Sequence, residues 1–332
     1  MNAELPKASI IIPCKTISKY TKECIEKCKK LEYPNLEILV LPDYYDGNAD
    51  KFGENVHIIP TGKASPGRKR NIGTMQSSGK ILAFIDDDAY PRFDWIKNAV
   101  KYLNEQKIAA VGGPGITPPE DNEMQKVSGY IYASFLMGNL RKRYKNVKPR
   151  ESDDIHSCNF VAKRDVIEKV KWNEEYWPGE DTLMCLGIKN LGFKMLEAPS
   201  VVVYHHRRPL FRSHLRQVFQ FGLHRGFFFK KFPENSRKLI YALPSLLVAG
   251  MIAFISSVIL ALDNWLFSML STLIGIVILL YLIVAFIAAL EQTRKPKLLF
   301  LTWVGIILTH NTYGVGFLKG IIQRDIRKWR IK

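Results

Sequence analysis

The chain has 332 residues, enough for one large domain or two smaller ones. Its formal charge of +17 calls for a polyanion, a membrane surface or a phosphorylated substrate as counterpart. The five cysteines (Cys14, Cys24, Cys28, Cys158, Cys185) lack zinc-ligand spacing: Cys24 and Cys28 could share a helix face, but no second pair completes a metal site, and the usage suits reduced thiols.

Residues 1–7 lead directly into a strand-like run, so no signal peptide is expected. Residues 8–12 predict a buried strand stopped by Pro13, and 18–31 an amphipathic helix. A second apolar strand, 37–41, ends at Pro42-Asp43. A short third strand is expected at 56–59 and a helix at 67–76. The apolar run from Ile81 ends abruptly in Asp86-Asp87-Asp88. Three adjacent anions repel one another, so folding alone gives no reason to cluster them. A divalent cation does, because Mg²⁺ or Mn²⁺ takes hard oxygen ligands together with substrate phosphates. A solvated acidic turn is the competing reading of such a triplet. Another strand is expected at 108–111, before the Gly112-Gly113-Pro114-Gly115 turn.

Strands alternating with helices predict a doubly wound, mostly parallel sheet. Its carboxylate-tipped strands, at Asp43 and at Asp86 to Asp88, would line one crevice beyond the strand ends. No phosphate-binding glycine loop of the dinucleotide or P-loop kind is present. If a nucleotide binds, a metal is therefore expected to carry most of its phosphate charge.

Residues 207–238 hold nine Lys or Arg against one acid, Glu234, interleaved with seven phenylalanines. That mixture suits an amphipathic helix at a membrane interface, or a grip on a polyprenyl carrier's phosphate through Arg207, Arg216, Gln217 and Arg225. Single-stranded nucleic acid is the lookalike, since stacking aromatics and basic residues serve there too. The apolar stretches that follow decide against nucleic acid. Residues 239–262 and 265–290 each exceed the roughly 20 residues needed to cross a bilayer, and neither carries a charge. With only Asp263-Asn264 between them they read as a hairpin. A third stretch, 298–322, is interrupted by Thr309-His310-Asn311-Thr312 and by Gly314 and Gly316, and reads as spanning or re-entrant. Basic residues on both flanks of the hairpin place those flanks in the cytosol. The expected organisation is a cytosolic catalytic domain (1–206), an interfacial segment (207–238) and a membrane domain (239–332), in a multi-pass cell-membrane protein.

The ordered series Ser9-Ile10-Ile11-Ile12-Pro13, Glu37 to Asp43, Gly67-Arg68-Lys69-Arg70-Asn71-Ile72-Gly73, Phe84 to Asp88, Asn159 to Asp165, Pro178-Gly179-Glu180-Asp181-Thr182 and Ala198 to His205 resembles glycosyltransferase family 2. That family's catalytic domain has the GT-A fold. The resemblance implies an inverting, metal-dependent sugar transfer from a nucleotide sugar. It implies Pro13, Asp43, Arg70, Asp86 and Asp87 on the nucleotide-sugar side, Asp88 and His205 at the Mg²⁺ or Mn²⁺ ion, and Asp181 as general base with Glu180 its neighbour. Glu180-Asp181 also reads as an acidic pair complementing a helix dipole, and His205-His206 as an ordinary interfacial pair. Pro42 stands where many members carry an aspartate, and the processive Gln-x-x-Arg-Trp motif is absent after Gln217. The downstream layout is similar to enzymes acting on lipid-linked glycans. The implied acceptor is a polyprenyl phosphate or diphosphate glycan. The alternatives are a polyprenyl-phosphate monosaccharide synthase and a non-catalytic membrane adaptor that binds nucleotide sugars. Oligomeric state is left open.

Overall fold

A computed structural model describes residues 5–47, 52–138, 141, 148–261 and 264–327. Leu262 and Asp263 of the expected hairpin, residues 142–147 and the last five tail residues lie outside the described residues. The chain divides into two compact units: residues 1–118 with 142–206, and residues 119–141 with 207–332. The sequence reading ends the catalytic segment after residue 206 and starts the membrane domain at 239. The structure also assigns 119–141 to the second unit, away from the catalytic segment in which the sequence reading put it.

The first unit is built on an eight-stranded sheet. Its strands in chain order are β1 (Ala8–Pro13), β2 (Leu36–Leu41), β3 (Val56–Ile58), β4 (Ile81–Phe84), β6 (Ile108–Gly112), β8 (Arg150–Glu151), β9 (Phe160–Lys163) and β10 (Lys194–Glu197). Their order across the sheet is β3-β2-β1-β4-β9-β6-β10-β8. β1 is fully buried and pairs in parallel with β2 on one side and β4 on the other. Such a strand is covered on both faces, which is why its sequence is apolar but for Ser9, whose hydroxyl donates to Glu37. The side-chain period of two divides it: Ile10 and Ile12 face one core with Cys24, Ile25, Trp95 and Ile96, whereas Ile11 faces the other with Leu39, Phe84, Phe160 and Met184.

Winding proceeds from β1 outward to β2 and β3, then returns to β4 on the opposite side of β1. The crevice at this reversal, beyond the carboxyl ends of β1 and β4, is where open α/β sheets bind ligands. β9 runs antiparallel between β4 and β6, one departure from an all-parallel sheet. A second, three-stranded sheet joins β5 (Ala89–Pro91), β11 (Val203–His205) and β7 (Gly115–Ile116). Its β5–β11 register sets His205 opposite Ala89, immediately after the aspartate triplet.

The second unit is helical. Three of its helices, Leu239–Leu260, Trp265–Gln292 and Pro296–Ile322, are long and apolar enough to cross a membrane. The third runs without a break through Thr309 to Thr312 and both glycines. Its polar groups find partners within the unit: His214 Nε2 lies 2.9 Å from Thr309 Oγ1, and the Tyr281 hydroxyl lies 2.9 Å from His310 Nδ1. The helix Arg212–Lys231 packs along it backbone to backbone. A Cβ added at Gly222, Gly226, Gly316 or Gly320 would lie 2.0–2.5 Å from a carbonyl oxygen of the opposing helix. Two Gly-x-x-x-Gly pairs, 222/226 and 316/320, make this approach possible. The buried face of Arg212–Lys231 thus carries glycines, His214, His224, Phe227 and Phe228, and that face meets protein.

Candidate active site

The crevice is furnished from four directions in the first unit. From β2 comes Asp43, two residues past the strand end. From β4 comes the triplet Asp86 to Asp88. The helix Pro66–Gln76 brings Lys69 and Arg70, and the helix Glu180–Asn190 brings Glu180 and Asp181. Local sequence explains each placement. Ser65 caps the first helix through a bond from the Arg68 N–H, and Pro66 suits its first turn. At Gly67 a Cβ would meet the Asn173 carbonyl oxygen at 2.1 Å, so this helix start admits only glycine. Gly179, at φ 121°, turns the chain into the second helix through a backbone region closed to most residues.

Lys69 is 3 % exposed, and its Nζ reaches the Cys14 carbonyl (2.6 Å), the Leu41 carbonyl (3.1 Å) and Asp43 Oδ1 (2.5 Å). It joins the ends of β1 and β2 and orients the Asp43 carboxylate. Pro13, the last residue of β1, lies opposite Leu41 in the same corner. The sequence reading passed over Lys69, although it stands inside the motif with Arg70. The available signal was a basic pair on a helix that lies between two carboxylate-tipped strands.

Arg70, offered by the sequence to the nucleotide, has its terminal nitrogens on protein groups. Nη1 donates to Glu180 Oε1 at 2.8 Å, and Nη2 donates to Asp86 Oδ1 at 2.9 Å and Ser157 Oγ at 3.0 Å. Its guanidinium lies 4.9 Å over the Trp172 ring, which itself packs on Phe84 and Phe160. Glu180 is buried, so desolvation raises its pKa against the lowering pull of Arg70. Asp181 is half-buried, and its Oδ1 accepts the Thr182 N–H at 2.8 Å.

The triplet divides its labour. His205 Nε2 is 3.1 Å from Asp88 Oδ1, and the His206 N–H donates to the Asp88 carbonyl at 2.9 Å. Asp87 turns toward the helix Lys19–Cys28 and accepts the Thr21 hydroxyl at 3.2 Å. Burial, with Asp88 and Asp86 beside it, pushes Asp87 up to about 7. The two histidines part: His206 stacks on Tyr20 at 4.3 Å and meets Glu23 at 3.0 Å. One carboxylate oxygen each from Asp86 and Asp88 and an imidazole nitrogen of His205 lie within 4.8 Å of one another. Two hard oxygens and an imidazole fit Mn²⁺ or Mg²⁺. Asp86, assigned to the nucleotide from sequence, therefore joins this cluster as well.

The four remaining sequence candidates belong to the second unit. Arg207 is buried, its N–H donating to Asp121 Oδ2 at 3.4 Å and its guanidinium 5.9 Å from the Tyr132 ring. Arg216 is exposed and Gln217 half-buried on the helix Arg212–Lys231. Arg225 lies 4.4 Å over the Tyr241 ring.

Comparison with known proteins gives the chain's relatives and its fold. The family model described as "Glycosyl transferase family 2" matches residues 9–171. Over 340 residues the chain is 24 % identical to dolichyl N-acetyl-alpha-D-glucosaminyl phosphate 3-beta-D-2,3-diacetamido-2,3-dideoxy-beta-D-glucuronosyltransferase of Methanococcus voltae, covering 95 % of this chain and 97 % of that one. It is 27 % identical to the glycosyltransferase AglE of Haloferax volcanii, over 67 % of this chain and 74 % of the relative. Among solved structures, the mannosyltransferase PcManGT of Pyrobaculum calidifontis, in complex with GDP-Man and Mn²⁺, superposes with a TM-score of 0.65 at 18 % identity. That match covers 95 % of this chain and 88 % of the other, and establishes the same fold.

Proposed function

Since residues 9–171 make the chain a member of glycosyl transferase family 2, we propose that it transfers a sugar, with inversion, from a nucleotide sugar to a lipid-linked acceptor at the cytosolic membrane face. The observation that carries this reading is the convergence on one crevice of Asp43, the Asp86–Asp88–His205 cluster and the helix bearing Asp181. Three membrane-length helices in the same chain and relatives named for lipid-linked acceptors support the acceptor class.

In this reading Asp43, held by Lys69 at the edge of Pro13, receives the nucleoside. Asp86, Asp88 and His205 would hold Mn²⁺ or Mg²⁺, which when bound neutralises charge on the diphosphate leaving group. Asp181 accepts the proton of the attacking hydroxyl, on the face of the sugar opposite the diphosphate, as inversion requires. Asp181 is suited to this because its carboxylate is half-exposed at a helix start, whereas Glu180 is buried on Arg70. Arg207, Arg216, Gln217 and Arg225 are assigned to the acceptor's phosphate and the anionic lipid surface.

The test is a screen of nucleotide sugars with the detergent-solubilised chain and a polyprenyl-linked acceptor extract, with and without Mn²⁺. The expected result is one donor consumed, inverted stereochemistry in an organic-soluble product, and loss of turnover in chelator. A single sugar on the carrier phosphate would shift the reading to a monosaccharide synthase. Donor binding without any transfer would overturn it.

A further inference from the structure

Arg70 occupies a position that a nucleotide contact does not explain. The residue is 2 % exposed, and its terminal nitrogens touch both halves of the chemistry. Nη2 holds Asp86 of the cation-binding cluster at 2.9 Å, while Nη1 holds Glu180 at 2.8 Å. Glu180 is the first residue of the helix whose second residue is Asp181. Ser157 supplies a third acceptor at 3.0 Å, and the Trp172 ring at 4.9 Å floors the guanidinium. Four separate segments therefore meet on one cation: the helix Pro66–Gln76, the end of β4, the turn Ser157–Asn159 and the start of the helix Glu180–Asn190.

We infer that Arg70 is a positioning residue that fixes the helix bearing Asp181 in register with the Asp86–Asp88–His205 cluster. This inference rests on the glycosyl-transfer reading and adds to it the part that sets base and leaving group on opposite faces of the sugar. A planar guanidinium can bond two carboxylates along two fixed directions at once, whereas a lysine ammonium is a single point charge on a flexible stem. Glu180 is withdrawn from water and Asp86 only partly so, and Glu180 above all depends on this partner for its direction as well as its charge. Catalysis that depends on in-line geometry responds steeply to small misplacement of the base, on the order of 100-fold for about 1 Å.

The experiment compares Arg70→Lys, Glu180→Gln and the double variant with the wild-type chain, measuring kcat, donor KM and, by titration with Mn²⁺ present, donor Kd. Arg70→Lys is expected to lower kcat by about 100-fold while moving donor Kd less than about threefold. Glu180→Gln, which leaves the side chain's size and its bonding oxygen, is expected to lower kcat in the same sense. The double variant is expected to be no worse than the poorer single variant, the non-additivity of two groups acting as one. A rise in donor Kd matching the loss of kcat/KM would overturn the inference and return Arg70 to the nucleotide. Additive losses in the double variant would overturn it as well. A wild-type chain that transfers no sugar would instead remove the underlying reading, so the two failures are distinguishable.

Discussion

At the scale of single residues, a side chain's job follows from what its polar atoms can still reach. Asp181 and Glu180 are neighbours with the same functional group, but one is buried on a guanidinium and the other is half-exposed. Replacing Asp181 by Asn removes the proton acceptor and keeps the shape. The expected result is a fall in kcat of about 100- to 10,000-fold with donor affinity unchanged, read by stopped assays alongside equilibrium binding. Retained turnover would remove Asp181 from the base role. A second expectation concerns Glu37, at the opposite end of the sheet from the crevice. Burial opposes its ionisation, but bonds from Lys7, Ser9 and Ser78 prevail and bring it from 4.5 down to about 2. A depressed carboxylate stabilises the folded chain above its unfolded value and loses that contribution as pH falls from about 4.5 toward about 2. Glu37→Gln should flatten the acid limb of a chemical-denaturation series across that window. An acid limb as steep as that of the wild type would show that Glu37 is not the group responsible. The sequence announced the aspartates and Arg70, passed over Lys69, and left their partners unread. Those contacts bridge residues as far apart as Arg70 and Glu180, beyond any local pattern.

Elements show where local pattern is informative and where it stops. The strands at 8–13, 36–41 and 81–84 agree with their apolar runs because a strand buried on both faces is mostly apolar, and the two polar residues in them, Ser9 and Glu37, bond to each other. The helix Lys19–Cys28 begins at Ser18, which forms a capping box with Thr21. The basic helix Arg212–Lys231 was harder to read. Its phenylalanines suggest a lipid-facing stripe, yet Phe227 and Phe228 are buried and the helix lies on Pro296–Ile322 through glycines. The available signal was the four-residue spacing of Gly222 and Gly226 and its counterpart at Gly316 and Gly320. Gly226→Leu would thrust a side chain against the Phe317 backbone, where a Cβ alone already lies 2.1 Å from the carbonyl oxygen. The expected cost is about 1–3 kcal/mol, seen as a lowered thermal midpoint of the detergent-solubilised chain. Gly250→Leu, where nothing lies within 4 Å of the added Cβ, is the matched control and should be near neutral. Equal losses at both positions would refute the packing argument.

For the molecule as a whole, the two units do not follow a single cut in the chain. Residues 119–141 leave the sequence of the first unit and belong to the second, where Val127 and Ile131 are buried with Ala285, Ala288, Leu298 and Ile306. A fragment of residues 1–206 retains that segment without the helices that cover it. It is expected to expose an apolar surface, bind a hydrophobic dye and self-associate in gel filtration. A monodisperse fragment with the full chain's donor affinity would show that the segment is dispensable to the first unit. By itself, the sequence determined the alternation of strands and helices, the carboxylates at strand ends and the apolar lengths that suit a bilayer, because periodicity, composition and run length are local properties. Only the tertiary structure decided that Arg70 joins Asp86 to Glu180, that His205 and His206 serve different carboxylates, and that 119–141 packs among later helices. Those outcomes depend on which distant groups the fold brings within about 3 Å, and hydrogen bonds and ion pairs are chosen at that range.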